Sequence, residues 1–364
     1  MTMAGRAGQP HLALLFGVAA IVHAGAPAAP VFVTAPSPID AQPQTLQIGI
    51  IDFYGVGELS ESQVRQALTF TIGDQLSVDA PRPAFFTDSE RRLAALPGVR
   101  SASLNPVCCE AGRVIVYVGL EQQGQPGVRF REAPTGDVRL AANVREDAEA
   151  LEQSFMAAVQ RGDAAEDDSQ GHALFHDPAS RLIQQRFVGY AARDLAQLRR
   201  VLRESADADD RALAAEVIAY APVKQDVVAD LVDAMRDPSS DVRNNAMRAL
   251  AMFGRMTPSS DRPAVKVPSA PFIDLINSPV WTDRNKSSLA LMELTEPRDP
   301  TLLAQLRERA LPSLVEMARW KSEGHATPAL LILGRIAGVT DEAVDAALKS
   351  DNRERIIRAA TGRP

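Results

Sequence analysis

The sequence predicts an α+β multidomain protein, a small β-α-α-β-β domain followed by an all-α solenoid of helical repeats. Three observations predict it. Leu46, Ile48 and Ile50 alternate with Gln47 and Gly49, the period of a half-buried strand. From Leu198 onward a pattern of apolar residues and arginines recurs every 32 or 33 residues, a spacing at which helix pairs stack. Aromatic residues make up only 5% of the chain, and abundant Ala and Leu favour closely packed helices.

The elements follow in order. Residues 1–24 carry one positive charge, Arg6, an apolar run from Leu12 to Val22, and the small-residue string that begins at His23-Ala24. This is the order of a secretory signal peptide, with cleavage expected after Ala24. The apolar run rises only about 16 Å as a helix, too short for a permanent span, so no stable membrane insertion is expected. Export to the periplasm or the extracellular space follows. Removing Arg6 from 39 basic residues, against 46 acidic ones, takes the formal charge from −7 to −8, and a net acidic chain is a poor nucleic-acid binder.

Residues 25–45, rich in Pro and small side chains, read as a linker. The strand at Leu46 to Ile50 ends at the turn glycines Gly55 and Gly57. Ser60-Glu61-Ser62-Gln63 has capping-box spacing and opens a helix bearing Val64, Ala67 and Leu68. Thr87-Asp88-Ser89-Glu90 repeats that spacing before a helix bearing Leu93 and Leu96, which Pro97-Gly98 ends. Two strands, Val99 to Val107 and Arg113 to Leu120, then form a hairpin through Glu110-Ala111-Gly112. Neighbouring strand residues face opposite ways, so the adjacent Cys108 and Cys109 are expected to remain unjoined.

That order, with the strings Ile50-Ile51-Asp52-Phe53-Tyr54-Gly55, Leu96-Pro97-Gly98-Val99 and Val114-Ile115-Val116-Tyr117-Val118, resembles the POTRA domain of envelope proteins over residues 46–122. The resemblance implies a sheet whose edge can take an extended peptide. Residues 123–180 read as a linker or draped arm with one helix from Arg145 to Val159.

Within the repeats, Leu198, Leu202, Arg211, Ala215 and Ile218 are echoed by Leu231, Met235, Arg243, Ala246 and Leu250. The segment Asp241 to Leu250 is echoed by Thr282 to Leu291, the longer spacing reflecting a loop at residues 257–271. A fourth unit carries Leu314, Met317, Leu330 and Leu333. The string Met235-Arg236-Asp237-Pro238-Ser239-Ser240-Asp241-Val242-Arg243-Asn244-Asn245-Ala246 resembles the HEAT repeat family, covering residues 181–360. That resemblance implies an α-solenoid that binds a protein partner, although some relatives are pigment lyases.

Candidate chemistry is sparse. His172 and His176 lie four apart beside Glu166, Asp167, Asp168 and Asp177, but Gly171 and Pro178 argue for a surface loop over a metal site. No nucleophile-elbow, phosphate-loop, zinc or dinucleotide motif is present in the sequence, and no cofactor is implied. Asp237, Asp241 and Arg243 are expected to cap and tie helices, and Glu204 to Asp210 to mark a turn. The leading expectation is an interaction scaffold binding another envelope or extracytoplasmic protein. The alternative is an extracytoplasmic lyase or hydrolase around His325 and Glu316. The expected partner-binding surface is the turn edge of the last two helix pairs, with Trp281, Arg284, Arg319, Trp320 and His325, because Trp and Arg are enriched at binding hot spots. The competing reading is that both indoles close the core between helices.

Overall fold

The computed structural model describes residues 15–16, 45–77, 82–124, 127–169, 171–256 and 264–362. The chain divides into two compact units, residues 1–125 and 126–364. The expected leader and the linker after it lie outside the described residues apart from Leu15, Phe16 and Thr45.

The first unit runs β1 (Leu15–Phe16), β2 (Thr45–Tyr54), α1 (Glu61–Ala67), β3 (Gln75–Ser77), α2 (Ala84–Ala94), β4 (Val99–Glu110) and β5 (Arg113–Gln122). One sheet in the order β1-β4-β5-β2-β3 carries these strands, with β4 and β5 antiparallel and β2 parallel to β5. The helices cover one face, closing a core of Ile48, Ile51, Val64, Phe70, Phe86, Leu93, Leu104, Val114, Val116 and Val118.

Local chemistry accounts for these boundaries. Ser60 and Gln63 form a reciprocal capping box at α1. Gly55 has φ +68°, and a Cβ there would lie 2.0 Å from the Leu120 carbonyl oxygen, so only glycine fits. Ala111 and Gly112 both take positive φ, the two-residue turn that matches hairpin twist. β3 was not anticipated, since three residues carry no readable period.

Two expectations are corrected. Thr87 does not open α2: the helix begins a turn earlier at Ala84, where Phe85 and Phe86 pack against Phe70. Glu90 is used elsewhere, accepting from the Leu104 amide and from Arg82. Cys108 and Cys109 are joined in a disulfide. Side chains alternate across trans peptides, whereas the bond between these residues is cis and their Cα atoms are 3.1 Å apart.

The second unit begins with an extended strap, residues 127–141, then α3 (Ala142–Gln160), a small hairpin of β6 (Glu166–Asp167) and β7 (Leu174–Phe175), and α4 (Pro178–Arg193). Four helix pairs follow: α5 (Leu195–Glu204) with α6 (Ala208–Ile218), α7 (Gln225–Ala234) with α8 (Ser240–Arg255), α9 (Ala270–Leu275) with α10 (Trp281–Leu294), and α12 (Leu311–Ala318) with α13 (Glu323–Ile336). α11 (Pro300–Arg309) precedes the last pair, and α14 (Asp341–Lys349) with α15 (Arg353–Thr361) packs on α13. The second helices α6, α8, α10 and α13 stack in one row. Small and apolar side chains along that row, including Ala214, Ala246, Met247, Leu250, Ala290 and Leu330, are buried. Each pair alone buries too little to be stable, but stacking makes the core continuous.

Residues 127–180 belong to this unit, and of the two readings, linker or draped arm, the structure shows the arm, with α3 near the expected helix. The Pro and Gly content that suggested flexibility instead lets the strap follow the solenoid surface.

Candidate interaction surfaces of the solenoid

Buried charge ties each pair to the next. Arg211 on α6 donates two hydrogen bonds of 2.9 Å to Asp237, in the turn of the following pair. Arg243 on α8 does the same to Asp283 on α10, again at 2.9 Å, and Arg284 reaches Glu316 on α12 at 3.0 Å. The free ends of these arginines cap turn carbonyls: Arg211 on Ser205 and Ala206, Arg243 on Asp237 and Pro238, Arg284 on Ser278. In the Arg211 and Arg243 ties bidentate geometry satisfies both partners, the condition under which buried ions are tolerated. The tying role expected of Asp237 and Arg243 is therefore present. Asp241 does not share it: it is exposed in the first turn of α8, where Ser239 is the cap.

The strap runs along the row of turns within the pairs. Gly136 pairs with the α5–α6 turn through two backbone bonds, its amide to the Glu204 carbonyl at 2.9 Å and its carbonyl from the Ala206 amide at 2.8 Å. The Arg131 amide donates to the Arg236 carbonyl in the α7–α8 turn at 2.7 Å. Its guanidinium joins Asp237 at 2.8 Å, Asp233 at 3.2 Å and the Leu202 carbonyl. Phe130 stacks on Arg243, with 3.9 Å between guanidinium carbon and ring centre. Arg139 pairs with Asp207 and the buried Asp210, so the acidic run from Glu204 is the turn and helix cap that the sequence indicated. Burial opposes ionisation of Asp237, but hydrogen bonds from Arg211 and Arg131 overcome it and hold the carboxyl below its usual range.

At the last two pairs the expected partner-binding residues sit mostly inside. Trp281 and Trp320 are each 1% exposed, and Arg284 and His325 are buried as well. His325 meets the Trp281 ring edge-on with centres 5.2 Å apart. Burial, and then the charge of Lys286, push its pKa down to about 4. The geometry favours the packing reading for both indoles, because side chains closed off by α10, α12 and α13 offer a partner no area. Arg319 alone is exposed, paired with Glu354 at 2.7 Å. Glu316 is committed to Arg284.

A different concentration of polar groups lies on the second-helix row, which sequence reasoning missed because its members are far apart in the chain. A small pocket of about 40 Å³ is lined by His172, Glu216, Tyr220, Asn245, Arg248 and Phe253, among others. Lys224 lies 3.2 Å from His172 Nδ1 and donates to the Ala219 carbonyl at 2.8 Å. Burial pulls the Lys224 ammonium down to about 8, and burial with the neighbouring Lys224 charge pulls His172 down to about 4. His176 instead faces Asp163 at 3.3 Å, so the two histidines do not converge. The β6–β7 hairpin lies over this face. Glu166 pairs with Arg248, and Asp168 with Arg255 at 3.5 Å.

The family comparison agrees with the repeats of this unit. The HEAT repeats family profile matches residues 195–266, the span of the first two pairs. Residues 195–266 thus match HEAT repeats within a helical repeat solenoid. No curated protein matches the chain. A designed armadillo repeat protein is similar at 16% identity over 53% of this chain and 96% of its own, with a TM-score of 0.33. Another, solved in complex with the peptide (KR)4, is similar at 16% identity over 61% of this chain and 99% of its own, with a TM-score of 0.34. No helix among the described residues is long and apolar enough to cross a membrane.

Proposed function

We propose that the protein is an exported interaction scaffold that binds another envelope or extracytoplasmic protein along the turn edge of its solenoid. One observation carries the reading. Residues 127–141 already lie on the first two turns as an extended chain, held by backbone pairing with groups that any such turn possesses. The turns around Ser278 and Trp320 continue the same row. There Arg319 supplies the contact charge, while Trp281, Arg284, Trp320 and His325 hold the turns rigid from beneath. The edge of the first unit's sheet offers a second contact of POTRA type, because loss of residues 1–24 on export would remove β1 from the outer side of β4.

The test is a photoreactive side chain in place of Arg319, expressed with the full chain and activated in the native envelope. One specific protein should be crosslinked there and not from a control site at Arg186 on α4, and the recovered chain should begin at or near Gly25. Equal capture from both sites would refute the surface, and an uncleaved chain in the cytosolic fraction would refute export.

A further inference from the structure

The second-helix row carries charges that its packing does not require. Arg248 on α8 and Lys286 on α10 are both partly exposed on this face of two packed helices, and burial, then the Arg248 charge, pulls the Lys286 ammonium down to about 8. Among the described residues Lys286 has no hydrogen-bonded or ion-paired partner, and neither has the Glu216 carboxyl on α6. Two cations on adjacent helices repel each other unless an anion sits between them. Glu216 acts on Arg248 from within the row, and the hydrogen-bonded anion comes from outside it: the Glu166 carboxylate bonds Arg248 and partly offsets the downward shift of Lys286.

The hairpin that delivers Glu166 is fastened at its other arm. Leu174 is buried, the Phe175 amide donates to Gln184 at 2.6 Å, the Phe175 ring stacks on Phe155 at 4.2 Å, and Tyr220 donates to the Ala173 carbonyl. The arm Glu166-Asp167-Asp168 has none of that apolar anchorage. Its backbone pairs with β7, Glu166 opposite Phe175 and Asp167 opposite Leu174, but its side chains are held by charge, to Arg248, Arg181 and Arg255. Ion pairs of this exposure stabilise a fold by only about 0 to 1 kcal/mol each. The Glu166 and Asp168 side chains can therefore leave their arginines for a better ligand while the backbone pairing of the hairpin stays in place.

We propose that Arg248 and Lys286 form a binding site for the carboxylates of an acidic, extended segment of the partner, and that Glu166 is the in-chain occupant which that segment displaces, with Asp168 fastening the same arm to Arg255. The inference rests on the scaffold reading and adds the chemistry of the partner. The site is distinct from the turn edge, being on the helices and not on the turns between them.

The experiment uses the purified mature chain and a fluorescent six-residue peptide of alternating Glu and Val, with the matching Lys and Val peptide as control. The variant Glu166→Gln/Asp168→Asn empties the site and should bind the acidic peptide at least tenfold more tightly than the unchanged protein. Adding Arg248→Gln, or separately Lys286→Gln, should abolish that gain. Lys286 has no structural partner among the described residues, so its variant keeps the test valid even if Arg248→Gln melts early. No gain in that variant, a gain that survives both cation variants, or preference for the basic peptide would overturn the proposal. Crosslinking from position 319 is independent of these residues, so its persistence in Lys286→Gln would leave the scaffold reading standing whichever way the peptide result falls.

Discussion

Asp237 is the side chain on which the first two pairs and the strap converge, and Asp237→Asn should show how much that convergence stabilises. The carboxylate accepts two bonds from Arg211, one from Arg131 and one from the Ser239 amide. The amide keeps the volume and one acceptor but loses the charge. Arg211 is 2% exposed, and a buried guanidinium left without its counter-ion costs about 3 to 5 kcal/mol. Arg131 retains Asp233 and the Leu202 carbonyl, so its share is within about 1 kcal/mol. A unit of this length loses roughly 2 to 4 °C in melting temperature per kcal/mol, which predicts a fall of roughly 6 to 20 °C. Thermal melting followed by far-ultraviolet circular dichroism reads it, with Asp233→Asn as the control that touches the same Arg131 from an exposed position. The sign of the pH dependence is fixed too. The folded carboxyl titrates below its unfolded value near 3.9, so the advantage of Asp237 is complete above that value and is lost as pH falls through the folded one. A fall of less than about 3 °C, or one no larger than that of Asp233→Asn, would mean that the buried pair does not hold the repeats together.

Trp281→Ala and Trp320→Ala should each lower stability by about 3 to 5 kcal/mol, as loss of a packed aromatic does, and a variant melting within a degree or two of the parent would return that indole to the surface. His325 titrates near 4 when folded and near 6.5 when unfolded, so acidification through that window should remove up to roughly 3 kcal/mol. Its contribution is intact above pH 6.5 and declines as pH falls. His325→Gln should therefore lose less melting temperature between neutral pH and pH 5 than the unchanged protein, and parallel slopes would contradict the assignment.

The repeats were legible because their signal is local: each helix carries its own apolar stripe, and Asp237-Pro238 with Arg243 marks a turn within nine residues of sequence. The strap was legible only as an arm, because its bonds from Gly136 to Ala206 and from Arg131 to Asp237 join residues 70 or more apart. The same separation hid the Arg248 face, whose groups come from α6, α8, α10 and the hairpin. The tryptophans misled for another reason. Composition at a hot spot and composition at a helix-pair core are alike in aromatics and arginine, and only burial separates them.

The arginine ties all point one way. Arg211, Arg243 and Arg284 each reach toward the C-terminus for an acid that belongs to the next pair. A pair is consequently not a self-contained module: it carries the cation for its successor's anion and the anion for its predecessor's cation. Excising or transplanting one pair at its helix boundaries would strand a charge of each sign at the two cut faces. Any natural or engineered change in repeat number must therefore break the chain between an acid and the arginine that follows it, which gives this solenoid a reading direction as definite as that of the sequence itself.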